Sequence, residues 1–251
     1  MAKIIAVANQ KGGVGKTTTC VNLCAALHQK GKRTLLIDCD PQGNSTSGMG
    51  VSKSTSPNCY DLLTQGTFVL DCIRHTDYGD VIPANKELAG ASVQLVDKKS
   101  REFILKIGIQ TVCSEYDYIF IDCPPSLELL TLNALCAANS LLVPVQGEYY
   151  ALEGLSDLMN TVRIVRRNMN PDLTIEGVLL TMFDGRTNLN IQVAQEVKRF
   201  FPGKVYTTVV PRNVRLSEAP SHGKPITAYD RTCRGAEAYI ALANEFLKKN
   251  A

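Results

Sequence analysis

An α/β fold, a doubly wound and mostly parallel sheet with helices on both faces, is what the sequence predicts, and three observations carry it. β-branched apolar runs alternate along the chain with longer stretches of helical character, the order that places crossover helices between parallel strands. The runs are near-continuously apolar, as strands buried on both faces must be. At 251 residues, with 45% hydrophobic and 20% charged residues, the chain suits one large core and has none of the low hydrophobicity that marks disorder. A single domain over residues 1–251 is therefore expected.

In chain order, strands are expected at Ile4–Asn9, Thr34–Asp38, Val81–Pro83, Tyr118–Asp122, Leu141–Val145, Thr174–Thr181 and Val205–Val210. Helices fill the gaps at Thr17–Gln29, Leu127–Ala137, Leu152–Arg167, Leu189–Phe200 and Gly235–Lys248, with Gly31 as the stop of the first. Residues 42–56, rich in Gly, Ser and Thr, read as a loop with a mobile tip running over the site.

Composition narrows the function classes. No apolar run reaches the roughly 18 to 20 residues of a membrane span, and the short apolar start at Ile4 lacks the length and cleavage site of a signal peptide, so a cytoplasmic protein is expected. The nine cysteines include no C-x-x-C pair, and Cys39, Cys123 and Cys136 sit inside apolar runs. Cys20 and Cys24 lie one helical turn apart, but no neighbouring ligands complete a four-ligand site, so the thiols read as core. Net charge is +3; residues 151–251 carry 14 basic against 10 acidic groups, residues 1–150 carry 13 against 14. That surplus permits a nucleic-acid surface and equally fits a solvated basic face.

The chemistry starts where the first strand runs into Lys11-Gly12-Gly13-Val14-Gly15-Lys16-Thr17-Thr18 and then a helix. Glycines let backbone N–H groups turn inward on phosphate oxygens, and the helix adds its positive N-terminal end. Lys16 is placed to reach the β- and γ-phosphates of ATP, the Thr17 hydroxyl to ligate Mg²⁺, and Thr18 to add a phosphate contact. The usual G-x-x-x-x-G-K-T pattern is altered: Gln10 stands where its first glycine belongs, and Lys11 follows. Asp38 and Asp40 leave the second strand at the carboxyl edge of the sheet, on the side of the phosphate loop. Either could hold water against magnesium or orient an attacking water. Asp122 ends an apolar strand as the Asp of a Walker B strand does and should serve magnesium through water. Each of these carboxylates taken singly would also fit a turn or helix cap.

Taken together, Lys11-Gly-Gly-Val-Gly-Lys-Thr-Thr, Asp38-Cys-Asp-Pro-Gln-Gly-Asn and Asp122-Cys-Pro-Pro-Ser resemble the ParA/MinD ATPases with a deviant Walker motif. Gln146-Gly-Glu-Tyr-Tyr-Ala-Leu-Glu-Gly and the run from Val210 to Pro225 are similar to the chromosomal ParA proteins often called Soj. The resemblance implies an ATP-dependent sandwich homodimer in which Lys11 crosses to the partner's nucleotide and Asp40 positions the hydrolytic water. It further implies Pro211 and Asn213 against the adenine, Glu148 near the dimer interface, Arg186 and Arg215 on a surface for nonspecific double-stranded DNA, and a ParB-type centromere-binding protein as partner on the nucleoid. Arg215 could instead form a surface ion pair with Glu218, and Arg163, Arg166 and Arg167 could be merely solvated.

Two other readings share parts of this pattern. A MinD-like membrane-positioning ATPase needs a C-terminal amphipathic helix; the six residues after Glu245 are too few, and Ala238, Tyr239, Leu242, Phe246 and Leu247 read as a core face. No membrane association is therefore expected. A metabolic P-loop or iron–sulfur enzyme would need cluster ligands that no cysteine is clearly placed to supply. The first strand starts at Ile4, which leaves no expectation of a preceding helix-turn-helix.

Overall fold

The computed structural model describes residues 1–148 and 151–250. Six strands, β1 (Lys3–Val7), β2 (Thr34–Asp38), β3 (Asp80–Ile82), β4 (Tyr118–Asp122), β5 (Ser140–Gln146) and β6 (Thr174–Thr181), form one parallel sheet in the order β3-β2-β4-β1-β5-β6. The helices are α1 (Lys16–His28), α2 (Asn44–Gly48), α3 (Cys59–Thr64), α4 (Val69–Cys72), α5 (Ala91–Gln94), α6 (Ile104–Gly108), α7 (Leu129–Ala137), α8 (Ala151–Asn168), α9 (Asn188–Phe200), α10 (Val214–Glu218), α11 (Ile226–Tyr229) and α12 (Arg234–Lys249).

Strand alternation sends neighbouring residues to opposite faces, and the core divides accordingly. Ile4, Ala6, Leu35, Ile37, Ile119 and Ile121 pack with α7 and α8 on one face. Ile5, Val7, Leu36 and Phe120 pack with Leu23 and Leu27 of α1 and Tyr239, Leu242 and Phe246 of α12 on the other. The doubly wound expectation is met, and the apolar face of α12 is core. Gly31, at φ +78°, follows the end of α1 and donates its N–H to the His28 carbonyl (2.9 Å), the stop expected there.

Two expectations are corrected. Val205–Val210 is not a strand: it forms one isolated bridge to β6, Val205 with Val178, and the Tyr206 and Val210 N–H groups donate to the Val178 and Leu180 carbonyls (both 2.9 Å), while a further bridge, Phe183 with Pro211, lies just beyond both segments. Between those contacts the N–H groups of Thr207 and Thr208 both donate to the Glu245 carboxylate on α12, at 2.8 Å; consecutive N–H groups of a strand point to opposite edges, so the segment leaves the ladder here. Residues 42–56 are not all loop. Their start folds as α2, with Ser45 and Thr46 fully buried. The short helices α3 to α6 between β2 and β4 had no counterpart in the sequence reading, because four- to six-residue helices show too little of the 3.6-residue period to be seen.

Candidate functional site

The site lies at the carboxyl ends of β1, β2, β4 and β6, where a doubly wound sheet presents its ligand crevice. Gly13 (φ +73°) and Gly15 (φ +88°) bend the phosphate loop through left-handed backbone that side-chain-bearing residues resist. Thr181, the last residue of β6, props the loop: its hydroxyl donates to the Val14 carbonyl (2.8 Å). Asn9 Nδ2 donates to the Pro144 carbonyl (2.8 Å) and its Oδ1 accepts the Lys11 N–H (3.0 Å), fixing the loop's entry. At its exit, Asn22 on α1 donates to the Thr18 carbonyl (2.8 Å) and accepts the Ile226 N–H (2.6 Å).

Lys16 is buried and donates to the Lys11 carbonyl (3.0 Å). Burial lowers its pKa against the attraction of Asp122 and Asp40, which is how a lysine poised for phosphate in a dry crevice should stand. Asp38 and Asp122 are register partners on adjacent strands and both are fully buried. Burial, joined by the charge of Asp122, pushes Asp38 up to about 7. Burial pushes Asp122 up to about 6 against the hydroxyls of Ser45 and Thr17. Ser45 Oγ donates to Asp122 Oδ2 (2.6 Å), while the N–H and hydroxyl of Thr46 both donate to Asp38 Oδ2 (2.8 and 2.7 Å). Asp122 Oδ1 is buried with no partner.

That orphaned oxygen, beside Lys16 and the Thr17 hydroxyl, is the feature a hydrated magnesium ion would satisfy. A second fits an adenine: Asn213 Oδ1 is also buried without a partner, on a cavity of about 740 Å³ whose lining includes Gly13, Gly15, Thr17, Thr18, Pro211 and Asn213. A cavity of this size holds a nucleotide-sized ligand. The structure thus brings the phosphate loop and the Pro211–Asn213 segment into one crevice, with Asp38 and Asp122 fully buried outside its lining. Gly12 and Val14 complete the loop itself, Gly12 exposed and Val14 buried. Asp40, two residues beyond Asp38, is buried, with Oδ1 accepting the Gln42 N–H (2.9 Å).

Lys11, expected to act across a dimer, here pairs with Glu148 of its own chain, and both side chains are partly exposed. Arg186 and Arg215 lie outside the crevice but at the same end of the sheet, because the bridge from Phe183 to Pro211 makes their two loops leave side by side. Arg186 holds Asp184 in a two-pronged pair (2.9 and 2.7 Å). Arg215 pairs with Glu218 (2.8 Å), as the alternative reading of that residue had it. Sequence reasoning missed Ser45, Thr46 and Thr181; a hydroxyl at a strand's carboxyl end was a signal for the last.

Fold and crevice together define a P-loop nucleoside triphosphatase. A domain model described as "AAA domain" matches residues 2–175. The sporulation initiation inhibitor protein Soj of Bacillus subtilis is 62% identical over 248 residues, 98% of each chain. The chromosome partitioning protein ParA of Myxococcus xanthus is 51% identical over 253 residues, all of this chain and 89% of that one. Among solved structures, cobyrinic acid a,c-diamide synthase of Mycobacterium smegmatis with bound ADP and magnesium superposes with a TM-score of 0.86 at 36% identity, covering 99% of this chain and 95% of that one. The chain belongs to the ParA/Soj family of deviant-Walker P-loop ATPases.

Proposed function

We propose that this chain is a cytoplasmic, nucleoid-associated partitioning ATPase: ATP and magnesium assemble a homodimer, the dimer holds double-stranded DNA without regard to sequence, and hydrolysis stimulated by a ParB-type protein releases it. The observation that carries the nucleotide half is the crevice itself, a glycine-turned phosphate loop beside a buried carboxylate oxygen that has no partner among the described residues. Lys16 and the loop's N–H groups bind the phosphates, Thr17 and Asp122 hold the hydrated metal, Asn213 and Pro211 flank the base, and Asp40 orients the attacking water. Bound magnesium supplies charge neutralisation on the phosphate oxygens.

Lys11 is available for a partner's nucleotide at little cost, because a partly exposed ion pair such as Lys11 with Glu148 is worth about 0–1 kcal/mol. The same weakness suits Arg186 and Arg215: an exposed pair is readily exchanged for backbone phosphates, whose binding gains from released counterions. Likeness to a diamide synthase rests on fold and carries no assignment of chemistry, and the Soj and ParA relatives are more similar along the whole chain. The membrane alternative gains no support from α12, whose apolar face is core; among the described residues no helix is long and apolar enough to cross a membrane.

The deciding experiment is retention on random-sequence duplex DNA with ATP and magnesium, with ADP, and without nucleotide, for wild type and Arg186→Glu at two salt concentrations. ATP-specific, salt-sensitive retention that Arg186→Glu loses is the expected result. Retention in no state would end the DNA reading and direct the search to anionic liposomes.

A further inference from the structure

We propose that Asp38 and Thr46 are a positioning pair that fixes Asp40, and that Asp122 alone of the two strand-end carboxylates serves the metal. The inference rests on the reading of Asp40 as the residue that orients the attacking water.

Hydrogen bonding separates two carboxylates that the sequence presents as equivalent. Asp38 has both oxygens engaged inside the protein: Oδ1 accepts the Asp40 N–H (3.1 Å), and Oδ2 accepts the N–H and the hydroxyl of Thr46. A carboxylate offers about four lone-pair directions, and three of those on Asp38 are taken in a fully buried position. Asp122 gives one oxygen to Ser45 and keeps the other buried and free. An oxygen already holding two donors is a poor acceptor for a metal's water, and a free one aimed beside Thr17 and Lys16 is a good one.

Thr46 ties this bond network to the sheet. Its Oγ1 also accepts the Ala84 N–H (2.8 Å), just beyond β3. The preceding turn leaves no slack: Gly43 has φ +61°, and a Cβ there would lie 2.6 Å from the Ala84 carbonyl oxygen. Asp40 then turns the chain, its carboxylate taking the Gln42 N–H and its carbonyl the Gly43 N–H (both 2.9 Å). The line from Ala84 through Thr46 and Asp38 to the Asp40 backbone sets where the Asp40 carboxylate stands. Displacement of such a group by 1 Å costs about a hundredfold in rate.

The test compares Thr46→Val, which keeps the shape and deletes the hydroxyl, with Thr46→Ser, which restores it, and sets Asp38→Asn beside Asp122→Asn. Steady-state hydrolysis is read as kcat and KM, and metal affinity as Mn²⁺ binding to the ADP-loaded protein by electron paramagnetic resonance. The expected results are a kcat loss of about tenfold to a hundredfold in Thr46→Val, a KM for the metal nucleotide within about threefold, and recovery in Thr46→Ser. Mn²⁺ binding weakens at least about tenfold in Asp122→Asn and stays within about threefold in Thr46→Val and Asp38→Asn. Comparable weakening of Mn²⁺ in the Asp38 or Thr46 variants, or equal kcat with Val and Ser at position 46, overturns the pair. If Asp38→Asn does not fold, the two Thr46 variants decide. Asp40→Ala at wild-type kcat would remove the reading on which the pair rests. Loss in Asp40→Ala beside an unaffected Thr46→Val removes the pair alone.

Discussion

The phosphate crevice and the two arginine loops leave the same end of the sheet, yet they are held in opposite ways. In the crevice the functional groups are buried and fixed by short bonds to backbone and to hydroxyls: Thr181 under the phosphate loop, Ser45 on Asp122, Thr46 on Asp38. In the loops, Arg186 and Arg215 are exposed and paired with neighbouring carboxylates, Asp184, Glu218 and Asp230. A site that must stabilise a transition state benefits from preorganisation, whereas a surface that must catch and release a polyanion benefits from bonds that cost little to exchange. Gly147, just past β5, packs against the Arg186 loop: a Cβ there would lie 2.6 Å from Asn190 Oδ1, the atom that accepts the Asp184 N–H (3.1 Å).

The contrast is broken most severely at Lys16. Lys16→Ala removes a charged hydrogen-bonding partner of the phosphates, an interaction worth about 1.5–3 kcal/mol, so ATP affinity measured by calorimetry should fall about tenfold to a hundredfold and DNA retention with ATP should disappear with it. An unchanged ATP affinity would mean that the loop's N–H groups suffice.

A smaller effect, opposite in sign for stability, is expected at Asp122. Its folded pKa of about 6 stands above the ordinary 3.8, so the folded protein keeps a proton that the unfolded chain has released. That contribution is full below pH 3.8 and is lost as pH rises through about 6. Without metal, Asp122→Asn should therefore raise the melting temperature at pH 8 relative to wild type, by an amount equivalent to at most about 3 kcal/mol, and lose most of that gain at pH 4.5. The variant should also lose the added stabilisation that magnesium with ADP gives wild type. A variant less stable than wild type at pH 8 would show that the charged form of Asp122 is not strained.

The smallest effect lies on the arginine side. Asp184→Asn frees Arg186 from an exposed pair, and because such pairs are worth about 0–1 kcal/mol, DNA affinity with ATP should rise by no more than about fivefold, most visibly at low salt. A fall in affinity would mean that Asp184 orients Arg186 for phosphate.

How much of this was legible in the sequence follows the same division. The phosphate loop and the strand ends were readable because glycine, lysine and acidic residues at a strand's carboxyl end have few alternative uses there. All six strands could be placed to within two residues at each end, being short and mostly buried, with the largest difference at β1, which ends at Val7 rather than Asn9. What was hidden depended on partners distant in sequence. Nothing local marks Ser45 and Thr46 as bonded to Asp122 and Asp38 in a Gly- and Ser-rich stretch, and nothing near Thr207 announces that Glu245 will take its N–H. The pairing of Lys11 with Glu148, 137 residues apart, is of the same kind.

The most direct test is the sedimentation of Asp40→Ala with ATP and magnesium, compared with the same variant in ADP and with Lys11→Ala. The ATP-loaded Asp40→Ala protein should bind nucleotide without turning it over and sediment at twice the 27.4 kDa chain mass, with the ADP form at the mass of one chain. One mass in both nucleotides would contradict an ATP-assembled dimer, and with it the release of Lys11 from Glu148 toward a partner.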